Sequence, residues 1–248
     1  MIGASTMIDL PLNRSIEEFR RLGLDFAEIR SDLIIEDIKS DFEFTVVHSP
    51  IYDINLASLN NLIRKASVKT LKKTIDFIYK KDINTEIFVV HAGHLTHNLG
   101  EVYLKKAWRS LRKSINELLK KGEEYSIVIG VENSQKKRDR VLIRYPEDYI
   151  RLKEEINSDF LKCVFDLGHA NTWKIDLKEA IRVLGEDIVL FHLHDNNGEN
   201  DSHLPLGKGS IDFSIIKNEK RPMTLEMKTL RDLKASLAYL SLLKDKAP

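Results

Sequence analysis

The chain has 248 residues, of which 42% are hydrophobic, and its 39 Lys and Arg residues nearly balance its 38 Asp and Glu residues. This length fits one large α/β domain or two small ones, and the balanced charge argues against a globally basic nucleic-acid binder while leaving room for a local basic patch. No apolar run approaches the ~20 residues that a membrane helix needs, and the first residues lack the basic start and apolar core of a signal peptide. The one cysteine, Cys163, excludes an internal disulfide and lies in an apolar run, where a buried structural thiol is expected. We therefore expect a cytoplasmic protein with no membrane partner.

Short apolar runs alternate with helical patterns along the whole chain. The runs predict eight buried strands, at residues 1–5, 25–30, 42–48, 86–91, 126–132, 161–166, 188–195 and 222–227. Helices are expected at residues 15–22, 32–38, 59–80, 101–121 and 177–184, and from residues 146 and 230 onward. Ser15 and Glu18 have the spacing of a capping box, which predicts that the first helix begins near Ser15.

This alternation predicts an α/β fold in which helices cover a parallel sheet. Eight strand–helix units in about 250 residues match a closed (β/α)8 TIM barrel. No linker or shift in composition divides the chain, so we predict a single domain over residues 1–248. The main rival is an open doubly wound sheet, which would need a glycine-rich first turn. The segment Ile2-Gly3-Ala4-Ser5 is not such a turn.

One stretch, residues 188–213, concentrates residue types that bind metals. It begins as an apolar strand, then presents His192 and His194, and continues with Asp201 and His203 in a loop rich in Gly and Pro. The two strand histidines point to the same face, because side chains on a strand alternate with a period of two. Imidazoles and carboxylates at a strand end predict a metal site, whereas the alternative is a polar surface loop that happens to contain histidines.

The eight histidines all lie at a predicted strand end or in the loop that follows one: His48, His91, His94, His97, His169, His192, His194 and His203. Solvated histidines would be scattered over helices and over both ends of the fold. In TIM barrels the active site lies at the C-terminal ends of the strands. The clustering therefore predicts a divalent-metal site at that end.

Four residues end the fifth to eighth predicted strands and are the central ligand candidates: Glu132, Asp166, His192 and Glu226. Three carboxylates and one imidazole suit Mn²⁺, Mg²⁺, Co²⁺ or Zn²⁺. Further candidates, as ligands or as hydrogen-bond partners of ligands or substrate, are His48, His91, His169, Asp201 and His203. Glu28, His94, His97 and His194 are expected to contact substrate or to support the ligands, and Asp195 to orient a ligand histidine.

Two features of the loops after the fifth and sixth strands suggest substrate contacts. Lys136 begins a basic run, with cations at 136, 137, 138 and 140, that would bind a phosphate of a sugar or of DNA, or would simply be solvated. Trp173 would form an apolar wall for a sugar ring, or would pack a helix.

Several motifs resemble the xylose isomerase-like TIM barrel superfamily. It includes sugar and sugar phosphate isomerases and epimerases, and also the apurinic/apyrimidinic (AP) endonucleases of family 2, which are endonuclease IV-like. The resemblance covers essentially the whole chain and is carried by VVHSPIYDINLA, VVHAGH, IGVEN, VFDLGHA, FHLHDNNGENDSHLPLGKGSID and TLEM.

The two branches imply different numbers of ions. The epimerase branch implies one ion on the residues that match Glu132, Asp166, His192 and Glu226, with the two glutamates acting as acid and base across the substrate carbon. The endonuclease branch implies three zinc ions on nine matching residues, all present here: His48, His91, Glu132, Asp166, His169, His192, Asp201, His203 and Glu226.

The chain departs from the endonuclease pattern at three places. The pattern has His-x-x-Tyr, whereas Tyr52 lies one residue further from His48. Asp-Thr-Cys-His becomes DLGH at residues 166–169, and His-x-Asn-Asp becomes HLHD at residues 192–195, with a shorter loop afterwards. The chain is also short for a branch that uses extended loops to grip DNA. These departures favour the sugar enzymes.

We therefore expect a divalent-metal-dependent isomerase or epimerase of a sugar or sugar phosphate, with one to three Zn²⁺ or Mn²⁺ ions. Glu132 or Glu226 would remove the proton next to a carbonyl, the other would return it, and the ion would stabilise the enediolate. The alternative is a zinc-dependent AP endonuclease, with DNA as a partner only in that case. A metal-dependent lyase or dehydratase is a third class, and the sequence leaves a homodimer open.

Overall fold

Eight strands close into a barrel in the computed structural model, which describes residues 1–33, 38, 42–95, 97, 100–136 and 140–245. The strands are β1 (Ile2–Ser5), β2 (Phe26–Arg30), β3 (Thr45–His48), β4 (Thr85–His91), β5 (Val128–Glu132), β6 (Leu161–Asp166), β7 (Ile188–Leu193) and β8 (Met223–Leu225). Each strand pairs in parallel with the next along the chain, and β8 pairs with β1 to close the ring. The predicted TIM barrel is confirmed.

Helices cover the outside of the barrel. They are α1 (Leu12–Arg21), α2 (Asn61–Lys80), α3 (Glu101–Tyr125), α4 (Pro146–Ile156), α5 (Leu167–Thr172), α6 (Leu177–Leu184) and α7 (Leu230–Asp245). Their apolar faces pack on the strands through buried residues such as Phe19, Leu71 and Leu111. The helix expected at residues 32–38 lies largely outside the described residues, which show a short 3-10 turn at Ser31–Leu33. Within the described part of the chain, no helix combines the length and apolar character needed to cross a membrane.

The first helix begins at Leu12 rather than near Ser15. Pro11 is the N-cap residue, and no side chain caps the first turn. Ser15 lies inside the helix, where its hydroxyl donates to the backbone oxygen of Pro11 at 3.2 Å. Proline has a fixed φ and no N–H to satisfy, so a helix can begin directly beside it. The capping-box prediction is wrong.

The barrel interior is closed by an apolar layer on the N-terminal side of the site. It consists of Phe26, Val46, Ile87, Val89, Val164 and Leu190. Phe26 has room because residue 3 is glycine, where a Cβ would lie 2.5 Å from the phenyl ring. We call this layer the apolar floor, because the polar side chains from the strand ends lie directly above it.

Candidate metal centre at the C-terminal end of the barrel

The polar layer of the barrel follows from strand alternation, because residues two apart on a strand point to the same face. The pairs of apolar and polar interior residues are Phe26 and Glu28, Val46 and His48, Val89 and His91, Val164 and Asp166, and Leu190 and His192. Strand register then places Asp166 beside His192 and His91 beside Glu132. The predicted site residues therefore meet in one layer just above the apolar floor.

His192 lies at the middle of the first group, which we call the central group and which consists of Glu132, Asp166, His192 and Glu226. Nδ1 of His192 is 3.2 Å from Oε1 of Glu132, 3.4 Å from Oε1 of Glu226 and 4.0 Å from Oδ2 of Asp166. All four side chains are buried. The structure thus brings the four central ligand candidates together.

The other ring nitrogen of His192 contacts Glu28. Its Nε2 lies 2.9 Å from Oε2 of Glu28, and both side chains are fully buried. A carboxylate that accepts the Nε2 hydrogen leaves the lone pair of Nδ1 facing the central group. Asp195, which was expected to orient a ligand histidine, instead accepts the backbone N–H groups of Gly209 at 2.7 Å and Ile211 at 3.2 Å.

Glu132 also belongs to a second group, with His48 and His91. Its Oε2 atom is 2.7 Å from Nε2 of His91 and 3.4 Å from Nε2 of His48. Its other oxygen faces His192 at 3.2 Å. One carboxylate can therefore serve two neighbouring cation positions, one with each oxygen.

Asp201 is the common member of a third group, with His169 and His203. Its Oδ2 atom lies 3.4 Å from Nε2 of each histidine. His203 has a φ of 50°, in the left-handed region that non-glycine residues rarely adopt. Backbone strain of this kind persists where the surrounding structure holds it, and it concentrates at functional sites.

Charges within the site compensate one another. Burial raises the pKa of Glu132, but His91, His192 and a hydrogen bond from His169 outweigh it and hold that pKa well below its ordinary value. Burial lowers the pKa of His169 and His192, yet the surrounding carboxylates raise both well above 6.5. In the absence of a cation, protons on the imidazoles therefore balance the ionised carboxylates. A divalent cation would replace those protons.

The donor atoms fit such a cation. Asp166 Oδ2 and Asp201 Oδ1 are buried and have no hydrogen-bond partner among the described residues. Unpaired polar atoms in a protein interior are costly, and a bound ion would satisfy them. Carboxylate oxygens and imidazole nitrogens together suit Zn²⁺ or Mn²⁺.

A cavity of about 160 Å³ opens above these groups. Its lining includes seven predicted ligands: His48, His91, Glu132, His169, Asp201, His203 and Glu226. The other lining residues were not predicted from the sequence; they are Ser5, Met7, Arg30, Ile51 and Gln135. Ser5 and Arg30 end β1 and β2, so the strand-end rule could have found them. The other three lie in loops that carry no comparable signal.

The four side chains expected to contact substrate do not line this cavity. His94 lines a neighbouring cavity, and Trp173 donates from Nε1 to the backbone oxygen of Ser134 beside a surface pocket. Lys136 is exposed, and residues 137–139 of its basic run lie outside the described residues. His194 is fully buried against carboxylates of the site. Their positions give the predicted substrate contacts no support.

Comparisons with known proteins bear on the family and the fold of the chain. A family model described as a xylose isomerase-like TIM barrel matches residues 16–241. The uncharacterized protein MJ1311 of Methanocaldococcus jannaschii is 30% identical over 251 residues, covering 93% of this chain and 84% of that protein. A probable endonuclease 4 of Mycobacterium tuberculosis is 30% identical over 179 residues, covering 68% of this chain and 66% of that protein. The solved structure of a D-tagatose 3-epimerase-like protein matches with a TM-score of 0.83 at 29% identity, covering 98% of this chain and 97% of that one.

Proposed function

The chain belongs to the xylose isomerase-like TIM barrel family, and from this premise we propose that it is a divalent-metal-dependent isomerase or epimerase of a sugar or sugar phosphate. The match to a D-tagatose 3-epimerase-like protein over nearly the whole of both chains supports this choice within the family. Zn²⁺ or Mn²⁺ would be held by the central group.

The observation that carries the proposal is the position of Glu132 and Glu226 at the two ends of one arc of strands. β5 and β8 lead into the glutamates, while β6 and β7 between them carry Asp166 and His192. The glutamates approach Nδ1 of His192 to 3.2 and 3.4 Å. A substrate held over the middle of the arc would have one carboxylate on each side, as proton transfer on two faces of a carbon requires.

The chemistry follows from this arrangement. A bound divalent ion would supply the positive charge that stabilises an enediolate. One glutamate takes the proton from the carbon next to the substrate carbonyl, and the other glutamate delivers a proton to the opposite face. The C–H bond broken on one face is replaced by a C–H bond on the other, so the configuration inverts with no net change in protons.

Size and charge of the cavity support a small ligand. Its volume of about 160 Å³ lies below the roughly 300–1,000 Å³ that is typical of pockets for drug-sized ligands. Arg30 lines the cavity and pairs with Asp32 at 2.5 Å. A guanidinium binds phosphate oxygens well, so a sugar phosphate would find a partner at this wall.

A zinc-dependent AP endonuclease is the second candidate, because all nine matching positions are filled and form three adjoining groups. Several neighbouring cations are what hydrolysis of a phosphodiester uses to stabilise the attacking and leaving oxygens. However, Arg30 is the only Lys or Arg among the described residues that line the cavity. A protein that contacts many DNA phosphates needs a broader basic face.

The first test concerns metal. Protein purified without chelator should contain Zn²⁺ or Mn²⁺ by elemental analysis. Replacing Glu132 or Glu226 by Gln should lower activity about 100-fold or more, since general acid–base catalysis contributes at least that much. Far-UV circular dichroism should be unchanged, and Glu123→Gln, at an exposed glutamate on α3, is the matched control. Wild-type protein that neither contains metal nor is stabilised by added Zn²⁺ or Mn²⁺ would contradict the proposal.

A second measurement decides between the two reactions. A panel of ketoses, aldoses and their phosphates in D₂O should show exchange of the proton next to the carbonyl by NMR, and the Gln variants should lose it. A duplex with one abasic site is incubated in parallel. If the duplex is incised 5′ to the lesion, the incision disappears in His91→Ala and His203→Ala, and no sugar shows exchange, the function is that of an endonuclease. That result would contradict the proposed isomerase or epimerase.

A further inference from the structure

A second cavity adjoins the one above the metal centre. It has a volume of about 410 Å³, and we call it the outer cavity. Met7 and Arg30 line both cavities, so the two meet at these side chains. The volume of the outer cavity lies within the roughly 300–1,000 Å³ that is typical of ligand pockets. A substrate whose reacting carbon lies at the central group therefore has space to extend past Arg30.

The order of strands in the barrel places the outer cavity beside one end of the central group. β8 pairs with β1, and β1 pairs with β2. The outer cavity is lined by the loop after β1, by Arg30 at the end of β2 and by Lys228 shortly after β8. Glu226 directly follows β8, whereas Glu132 ends β5 at the far side of the arc. The part of a substrate that enters the outer cavity would therefore leave the central group on the side of Glu226.

Arg30 is held in place from behind. Its Nε donates to Oδ1 of Asp32 at 3.2 Å and its Nη2 donates to Oδ2 at 2.5 Å, while its side chain is 19% exposed. Asp32 is not among the residues that line either cavity. The pair uses Nε and Nη2 and leaves Nη1 outside it. A guanidinium that is fixed along one edge keeps donors for a carboxylate or a phosphate on its other edges.

Lys228 brings a second cation to the outer cavity. Its Nζ donates to the backbone oxygen of Ser202 at 2.8 Å, and its own backbone oxygen accepts the N–H of Asp9 at 3.0 Å. An ammonium group has three donors, so two remain for a ligand. Since the partner of Nζ is a backbone oxygen and not a carboxylate, this contact leaves the positive charge of Lys228 uncompensated.

The rest of the lining of the outer cavity is mostly apolar. It consists of one exposed carboxylate, Asp9, and of Met7, Ile8, Leu10 and Pro11. No Ser, Thr, Asn or Gln is among the described residues that line this cavity. The hydroxyl groups of a second sugar ring would lose water there without gaining side-chain partners, which is unfavourable. A short chain that ends in an anion suits the cavity better, because two cations can contact the anion.

We propose that Arg30 and Lys228 bind a terminal anionic group, a phosphate or a carboxylate, of a substrate whose reacting carbon lies at the central group. The inference rests on the proposed function for the reacting end of the substrate. It narrows the substrate class from sugars in general to sugar phosphates and sugar acids.

The first test is anion binding by the protein as purified, measured by isothermal titration calorimetry with inorganic phosphate and, in parallel, with gluconate. Arg30→Gln and Lys228→Gln should each raise the Kd of the preferred anion about 10-fold or more, since a hydrogen bond to a charged group is lost. Asp9→Asn should lower the Kd, because it removes the one carboxylate that lines the outer cavity. Lys220→Gln, at an exposed position before β8, is the matched control and should behave as wild type.

Two results of this titration would overturn the inference. One is that neither anion binds to wild-type protein. The other is that the Kd is unchanged in both Arg30→Gln and Lys228→Gln, which would assign the anion to the metal centre. Lys228 is exposed, so its variant keeps the test decisive even if Arg30→Gln, which leaves Asp32 without its partner, fails to fold.

Turnover gives the second test. Among ketoses, their phosphates and the corresponding sugar acids, an anionic substrate should have the highest kcat/KM. Lys228→Gln should raise its KM about 10-fold with little change in kcat, and should leave the kinetics of a neutral ketose unchanged. Equal kcat/KM for neutral and anionic substrates would refute the inference and leave the proposed function standing. Anion binding that depends on Arg30 and Lys228, without turnover of any sugar, would contradict only the proposed function.

Discussion

At the scale of single residues, the ionisable groups of the site destabilise the folded protein unless a cation binds among them. Glu132 alone contacts His48, His91, His169 and His192. Removing charged groups from water is unfavourable even when they are paired, and apolar residues would fill the same space without that cost. A local departure from the rules of a stable core is expected at a functional site.

Metal binding should strengthen as the pH rises from about 6 to about 8.5, since ligand imidazoles must be neutral to bind. Burial lowers the pKa of His169 and His192, but carboxylates raise it further, well above 6.5, so protons compete with the metal through neutral pH. In the metal-free protein, the stability of the fold changes with pH in the opposite direction from metal binding. These raised pKa values give stability that is fully present below about pH 6.5 and is lost as the pH rises through the folded-state pKa.

The difference in Tm between zinc-loaded and metal-free protein should therefore widen over this pH range. Thermal denaturation at several pH values, with and without Zn²⁺, measures it. His169→Gln should flatten the dependence, because one of the imidazoles that compete through a raised pKa is gone. A Tm difference that does not change with pH in wild-type protein would refute the explanation.

At the scale of elements, Asn55 joins the loops that follow β3 and β4. Its Nδ2 donates to the backbone oxygen of His94 at 2.9 Å, and its Oδ1 accepts the N–H groups of His94 and Ala57 at 3.2 and 3.1 Å. Gly93 has a φ of 91°, and a Cβ there would lie 2.4 Å from Oδ1 of Asn55. The glycine thus permits the close approach that fixes both loops beside the site.

Asn55→Ala should destabilise the protein by about 1–3 kcal/mol, because it leaves partly buried backbone groups without partners. Urea denaturation followed by circular dichroism gives the change in the free energy of unfolding. Asn116→Ala, at an exposed position on α3, is the control and should change it by less than about 0.5 kcal/mol. Equal urea midpoints for the two variants would mean that Asn55 does not hold the loops.

At the scale of the whole molecule, the apolar core and the metal centre are separate sources of stability. The residues between strands and helices, and the floor inside the barrel, are buried without any contribution from the polar layer. We therefore expect the protein without metal to keep its fold, with a lower Tm.

Removing metal with EDTA should lower the Tm by about 5–10 °C for an ion present at about 100 times its Kd, which corresponds to roughly 2.7 kcal/mol. Circular dichroism before and after EDTA should show the same helical content at room temperature. Adding back Zn²⁺ should restore the Tm in wild-type protein but not in His192→Ala. Loss of helical content on chelation would show instead that the barrel depends on the metal for folding.

Local patterns in the sequence determined the barrel and its central group. Val164 and Asp166, or Leu190 and His192, share a face because strand side chains alternate, whatever the rest of the fold does. The ligand candidates were recognisable because each directly ends an apolar run. Even where bounds differ, as for β3, which begins at Thr45 instead of residue 42, the polar strand end was correctly placed.

Only the tertiary structure decided which loop residues reach the cavity. His94 and Trp173 follow strand ends as His91 and His169 do, yet Asn55 holds the first beside another cavity and a bond to Ser134 holds the second at a surface pocket. The close approach of the His194 ring to Gly168 likewise joins the start of α5 to the residue after β7, and no pattern within either segment relates the two. Strand alternation depends on adjacent residues alone, whereas the path of a loop and the position of a buried ring depend on atoms from several strands at once.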